Sequence, residues 1–89
     1  MKKVYKLKNH PYAQCEVIVD EEAKTIDFIS YVTRVISVRR NAEGKDEIEC
    51  TGTYSPTTRK QIGWFCREYL PELSYQHMKA IAGQGFCVL

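Results

Sequence analysis

The chain has no apolar run of membrane-spanning length, no Cys-x-x-Cys pair, no glycine-rich phosphate loop and almost no net charge. Each absence removes a class of function. Without about 20 consecutive apolar residues there is no transmembrane helix. The opening Met1-Lys-Lys-Val-Tyr-Lys-Leu-Lys8 carries charge but no signal-peptide core, so a cytoplasmic protein with no membrane partner and with reduced thiols is expected. The four cysteines, Cys15, Cys50, Cys66 and Cys87, stand apart from one another and from any histidine cluster. Zinc spacing is therefore missing, and buried free thiols are expected. A formal charge of +2 is too small to attract polyanions by itself.

Catalytic patterns are also scarce. His77 stands beside Met78, the cysteines lack a histidine in any nucleophile signature, and no carboxylates form a recognisable acid-base pair. The absence of a Walker loop argues against nucleotide hydrolysis. These features point away from an enzyme, and no metal or cofactor is expected.

What is present suits one small domain spanning residues 1–89, since two cores would each be too small to offset their conformational entropy. Lys2 to Lys8 reads as a lysine-protected edge strand or, alternatively, a basic arm for nucleic acid, with His10 in the loop that follows. Tyr12–Val19 and Thr25–Ser30 form a predicted hairpin across the polar stretch from Asp20 to Lys24. Glu16, Asp20, Glu21, Glu22 and Asp27 gather in it, so a polyanion must bind elsewhere. Tyr31–Arg40 is the strand richest in β-branched residues, either continuous from Phe28 or set off by a bend near Ser30. A turn over Asn41–Asp46, with Gly44 able to take positive φ, joins it to an alternating strand over Glu47–Thr51. Gly52-Thr53-Tyr54 then leads toward a helix.

Ser55 is a suitable N-cap and Pro56 a suitable first helical residue. Thr58, Ile62, Phe65, Cys66 and Tyr69 recur at spacings of three and four, which places them on one buried face before Pro71 ends the helix. Ser74 caps a shorter helix, Tyr75–Ala82, closed by Gly83 and Gly85. Phe86–Leu89 is apolar and expected to be paired or buried. The predicted fold is α+β: a small antiparallel sheet of three to five strands, one main helix packed on one face, and a short C-terminal helix.

The outward face of the main helix presents Lys60, Trp64 and Arg67. Either the indole and its flanking cations form a recognition surface, or Trp64 is covered by the second helix or the Phe86 segment. Ser55, Thr57 and Thr58 with Arg59 and Lys60 make a second candidate, an anion site at the helix start; their other use is capping and local packing. Arg34, Arg39 and Arg40 lie on or after the Tyr31–Arg40 strand; Arg34 and Arg40 either extend a basic track toward the helix or pair across the hairpin with Glu47 and Glu49, which is the expected use.

The run Ser30-Tyr31-x-Thr33-x-Val35, followed by Tyr54-Ser55-x-Thr57-Thr58-x-Lys60-x-Ile62-x-x-Phe65, resembles a family of small uncharacterised domains encoded by bacteriophages and bacterial mobile elements. A histidine often precedes the helix isoleucine in that family, whereas Gln61 stands there in this chain. The resemblance implies origin and architecture, and it brings no activity or ligand. Together these features favour a non-catalytic binding module for nucleic acid or an acidic protein surface, through Lys60, Trp64, Arg67, Arg59, Ser55, Thr57 and Thr58. The alternative is a protein-interaction factor of a phage or mobile element that binds a host protein or self-associates, for instance as a homodimer.

Overall fold

Alternation of apolar and polar residues builds a six-stranded antiparallel sheet, seen in a computed structural model that describes residues 1–52 and 55–89. Thr53 and Tyr54, read above as the lead into the helix and as part of the motif, lie outside the described residues. The strands are β1 (Lys2–Tyr5), β2 (Cys15–Asp20), β3 (Thr25–Ser30), β4 (Thr33–Arg40), β5 (Asp46–Cys50) and β6 (Cys87–Val88), in that spatial order. Helices α1 (Pro56–Tyr69) and α2 (Tyr75–Ile81) lie between β5 and β6 in the chain. The α+β class agrees with the sequence, but the sheet has six strands rather than three to five. The two-residue β6 completes it by pairing Val88 with Glu47 and Cys87 with Ile48, a strand too short to show a period of its own.

The register sets two apolar rows across one face. Val17, Phe28, Ile36 and Cys50 are successive cross-strand partners, and Val19, Ile26, Val38, Ile48 and Cys87 form the row beside them. The opposite face carries Ile18, Asp27, Ser37 and Glu49 in one row and Asp20, Thr25, Arg39 and Glu47 in the next. Only the first face has the apolar continuity to hold helices. On the second, the Ser37 hydroxyl donates to Asp27, which lets Ser37 be buried. A bulge between Phe28 and Ile29 leaves Val35 without a partner on β3, so Val35 and Ile36 are both buried despite being adjacent.

Helix α1 begins as its sequence requires, with the Ser55 hydroxyl accepting from the Thr58 amide at 3.4 Å and Pro56 in the first turn. Its buried residues are Thr58, Gln61, Ile62, Phe65 and Cys66. Phe65 stacks on Phe28 at 4.8 Å between centroids and on Tyr69 at 5.2 Å. Among these rings sits a polar chain: the Ser30 hydroxyl donates to Gln61 Oε1 and lies 3.2 Å from Thr58 Oγ1, which in turn lies 3.4 Å from Ser55 Oγ. Every buried side-chain polar atom among the described residues has a partner. Helix α2 adds Met78 and Ile81 to the same core, and the Ser74 amide donates to His77 Nδ1 at 3.1 Å, so His77 closes the helix start. Neither described helix is long and apolar enough to cross a membrane.

Cys15, Cys50 and Cys66 are buried free thiols, and Cys87 is half-buried. Burial pushes the Cys66 thiol up to about 11, with the neighbouring Cys50 adding to the shift.

Two outcomes follow from this packing. Phe65→Ala removes the ring at the centre of the stack and should cost about 3–5 kcal/mol, read as a fall in the urea midpoint. An unfolded cysteine ionises near 9.0 whereas native Cys66 keeps its proton to about 11, so the native state holds more protons between those values. Stability should therefore fall as pH rises through that window. Cys66→Ala should flatten the decline in urea titrations repeated across the range.

Candidate functional site

With Ile62, Phe65 and Cys66 turned inward, a 3.6-residue helix has to turn Lys60, Trp64 and Arg67 away from the sheet. Lys60 and Arg67 are exposed. Among the described residues neither takes part in an ion pair or a side-chain hydrogen bond. Trp64 is half-buried between them, packed at the margin of the core.

One face of Trp64 is covered by His10. The two rings are stacked with centroids 3.6 Å apart and planes 9° from parallel. The expected choice, between an open indole and one covered from the C-terminal side, did not include the His10 loop. The imidazole reaches the helix because the loop between β1 and β2 is tied down along its length. β1 ends at Tyr5, short of the expected Lys8; Leu7 turns into the core, and its carbonyl accepts from the His10 amide at 3.2 Å. The Lys8 amide donates to Glu68 Oε1 at 2.8 Å, which fastens the loop to α1. The Ala13 amide donates to the His10 carbonyl at 3.2 Å, and the Lys6 ammonium donates to the carbonyls of Ala13 and Cys15 at 3.5 and 3.4 Å. Tyr12–Gln14, expected in a strand, belong to this loop. Its contact with the helix leaves a cleft of about 130 Å³ lined by Lys8, Asn9, His10, Trp64, Arg67 and Glu68, with Leu7 at its base.

The hydroxyls at the helix start do not form one outward cluster. Thr58 is buried and bonded toward Ser30, exposed Ser55 is engaged as the cap and with Thr58, and Thr57 is exposed, as is Arg59. The structure thus brings Lys60, Trp64 and Arg67 together and removes Thr58 from the outward surface. The arginines of β4 form no track, because Arg34, Arg39 and Arg40 pair with Glu49, Glu47 and Asp46 at 3.5, 2.8 and 3.2 Å. The Arg39 hydrogen bond holds the Glu47 carboxyl below its ordinary range, and the guanidinium also lies 3.7 Å above the Phe86 ring.

Exposed apolar and aromatic residues not singled out from the sequence lie on the His10 loop and on the turn it meets. The two-residue turn between β3 and β4 is Tyr31-Val32, and Tyr31 has φ of 57°. Its amide donates to the Gln14 carbonyl at 2.8 Å, joining the turn to the loop that carries His10 and Tyr12. Tyr12 and Val32 are each 95% exposed and Tyr31 56%. The sequence could have flagged Tyr12 through the preceding His10-Pro11, but Tyr31 and Val32 were absorbed into a strand by their β propensity. Comparison with family models, with curated proteins and with solved structures finds no match to the chain.

Because Trp64 is the single tryptophan, its emission reports the stack directly. His10→Ala should shift that emission to the red and raise its quenching by acrylamide, with the far-ultraviolet circular dichroism unchanged. The loss in stability should be about 0.5–1.5 kcal/mol, the usual worth of a stacked aromatic pair.

Proposed function

We propose that the protein is a non-catalytic nucleic-acid-binding module whose contact surface is the outward side of α1. The observation that carries this is the pair of exposed cations, Lys60 and Arg67, set on either side of the Trp64–His10 stack with no carboxylate engaging them. Seven residues of helix separate them by about 10 Å along the axis, enough for each to meet its own phosphate. A cation left unpaired on a rigid helix has lost no counter-charge within the protein, so its electrostatic attraction is available to a ligand. Arg59 and Thr57 extend the same surface toward the helix start.

Charge distribution supports this orientation. The turn between β2 and β3, with Asp20, Glu21 and Glu22, follows the end of β2 remote from the His10 loop. Amides of Ala23 and Glu22 donate to Asp20 and keep its carboxyl below the usual range, fixing negative charge there. A polyanion is repelled from that end.

A second reading, as a protein-interaction factor or homodimer, draws on a different feature. A cleft of about 560 Å³ at the C-terminal end of α1 is lined by Ile48, Leu70, Leu73, Val88 and Leu89 together with charged residues. That chemistry suits an apolar side chain of a partner, and Asp46 and Glu72 beside Lys45 leave the lining without the net positive charge a phosphate needs.

The two readings separate on charge reversal. Lys60→Glu with Arg67→Glu should weaken binding of a labelled oligonucleotide at low salt by at least about tenfold, and should lower the slope of log affinity against log salt by about 2. Unaltered affinity and slope would remove α1 as the contact surface.

A further inference from the structure

We propose that the nucleic acid bound at this face is single-stranded, with unpaired bases stacking on Tyr31 and Tyr12; the inference rests on Lys60 and Arg67 being its phosphate contacts. Trp64 is the ring the sequence draws attention to, yet one of its faces is already occupied by His10 at 3.6 Å. The most exposed rings among the described residues are those of Tyr12, 95%, and Tyr31, 56%, with Val32, 95% exposed, at the tip between β3 and β4.

These residues are tied to α1 and to the His10 loop through contacts that the fold enforces. Tyr31 follows Ser30, whose hydroxyl is bonded to Thr58 and Gln61 in the first turns of α1. Its amide is held by Gln14 at 2.8 Å. Tyr12 lies two residues from Gln14 and two from His10, so the chain keeps it within about 7 Å of each. The loop therefore runs from the Trp64 stack to the Tyr31 turn with Tyr12 midway.

Backbone conformation adds an independent observation. Tyr31 occupies the first position of a two-residue hairpin turn with φ of 57°, and the second position has no positive φ. Glycine takes that first position without steric cost, whereas a bulky side chain is strained there. An aromatic ring kept at a strained position and left largely in solvent contributes little to the fold, and its surroundings hold the backbone beneath it still. A fixed, exposed ring offers a base a stacking partner at little entropic cost. Base faces in a duplex are hidden by their neighbours, while those of a single strand are free, and phosphate-tracking cations beside open aromatic rings are the combination that single strands engage.

The test uses the full chain and fluorescein-labelled oligonucleotides, a single-stranded oligothymidine and a duplex of equal length, titrated at low salt. The single strand should bind at least about tenfold more tightly than the duplex. Tyr31→Gly and Tyr12→Ala should each weaken single-strand binding by about tenfold and change duplex binding by less than about twofold, while Tyr31→Phe keeps wild-type affinity. Tyr31→Gly should also keep or raise the unfolding midpoint because it relieves the positive φ, which excludes misfolding as the cause of lost binding. A lower midpoint for that variant overturns the strain argument and with it the inference. Equal affinity for the two oligonucleotides, or tyrosine variants that leave both affinities unaltered or lower both alike, overturns stacking while leaving the phosphate contacts of Lys60 and Arg67 in place. No binding of either oligonucleotide by the wild-type protein overturns both readings.

Discussion

The Ser30 hydroxyl, buried between sheet and helix, is the contact on which the rest of the arrangement depends. Apolar packing of Phe28 against Phe65 brings α1 onto the sheet, but dispersion is nearly indifferent to a small rotation of a helix about its axis. Hydrogen bonds are directional. Ser30 has one proton, donated to Gln61, so Thr58 supplies its own proton to Ser30 and receives that of Ser55. Turning α1 by one residue, about 100°, would break this chain and leave a buried amide and hydroxyls unpaired, at about 1–3 kcal/mol for each orphaned group. The rotation that satisfies Ser30 is also the one that turns Lys60, Trp64 and Arg67 outward. The outward placement of the candidate surface is thus fixed jointly by the apolar face of α1 and by a polar bond in the core.

The same bond organises the other side of the surface. Ser30 ends β3, and the turn that follows begins from a residue that cannot shift without breaking the bond to the helix. The loop between β1 and β2 then closes the gap between that turn and α1, fastened to the turn at Gln14 and to the helix at Glu68 and Trp64. Loops of this length are commonly mobile because few contacts hold them. Here Leu7, Lys8, His10 and Ala13 are each engaged, so the ordering entropy of the segment is met on folding.

Local rules made much of the fold legible and little of the candidate site. Ser55-Pro56, the three-and-four spacing of Ile62, Phe65 and Cys66, and Gly44 with its φ of 79° act within a few residues of themselves, and each does what its type requires. The pairing of Arg34 with Glu49 was readable because a hairpin sets its strands side by side, whereas Arg40 meets Asp46 and leaves Glu47 to Arg39. Features that depend on distant parts of the chain were not readable. Gln61 looks like a surface residue until Ser30 meets it, and Val35 is buried through a bulge that alternation cannot foresee. His10 lies 54 positions from Trp64 in the sequence, and no period or spacing links them. β propensity drew Tyr31 and Val32 into a strand, although they form its turn, because the scale scores a residue's fit to a pleated surface and takes no account of its place in a hairpin.

Neighbouring residues 30 and 31 stand in opposite environments. Ser30 points inward, is buried and is fully bonded; Tyr31, one peptide further on, stands in solvent with a backbone angle that glycine would adopt more easily. If stability alone governed the turn, a smaller residue at position 31 would be preferred, because the ring there has neither core to fill nor cross-strand partner to cover. A short turn can hold such a ring steady only if the strand beneath it is anchored. The Ser30 bond to α1 supplies that anchor, so the strained turn is sustained by the most thoroughly satisfied polar residue of the interior. Stability invested at position 30 is what allows position 31 to depart from its own local optimum.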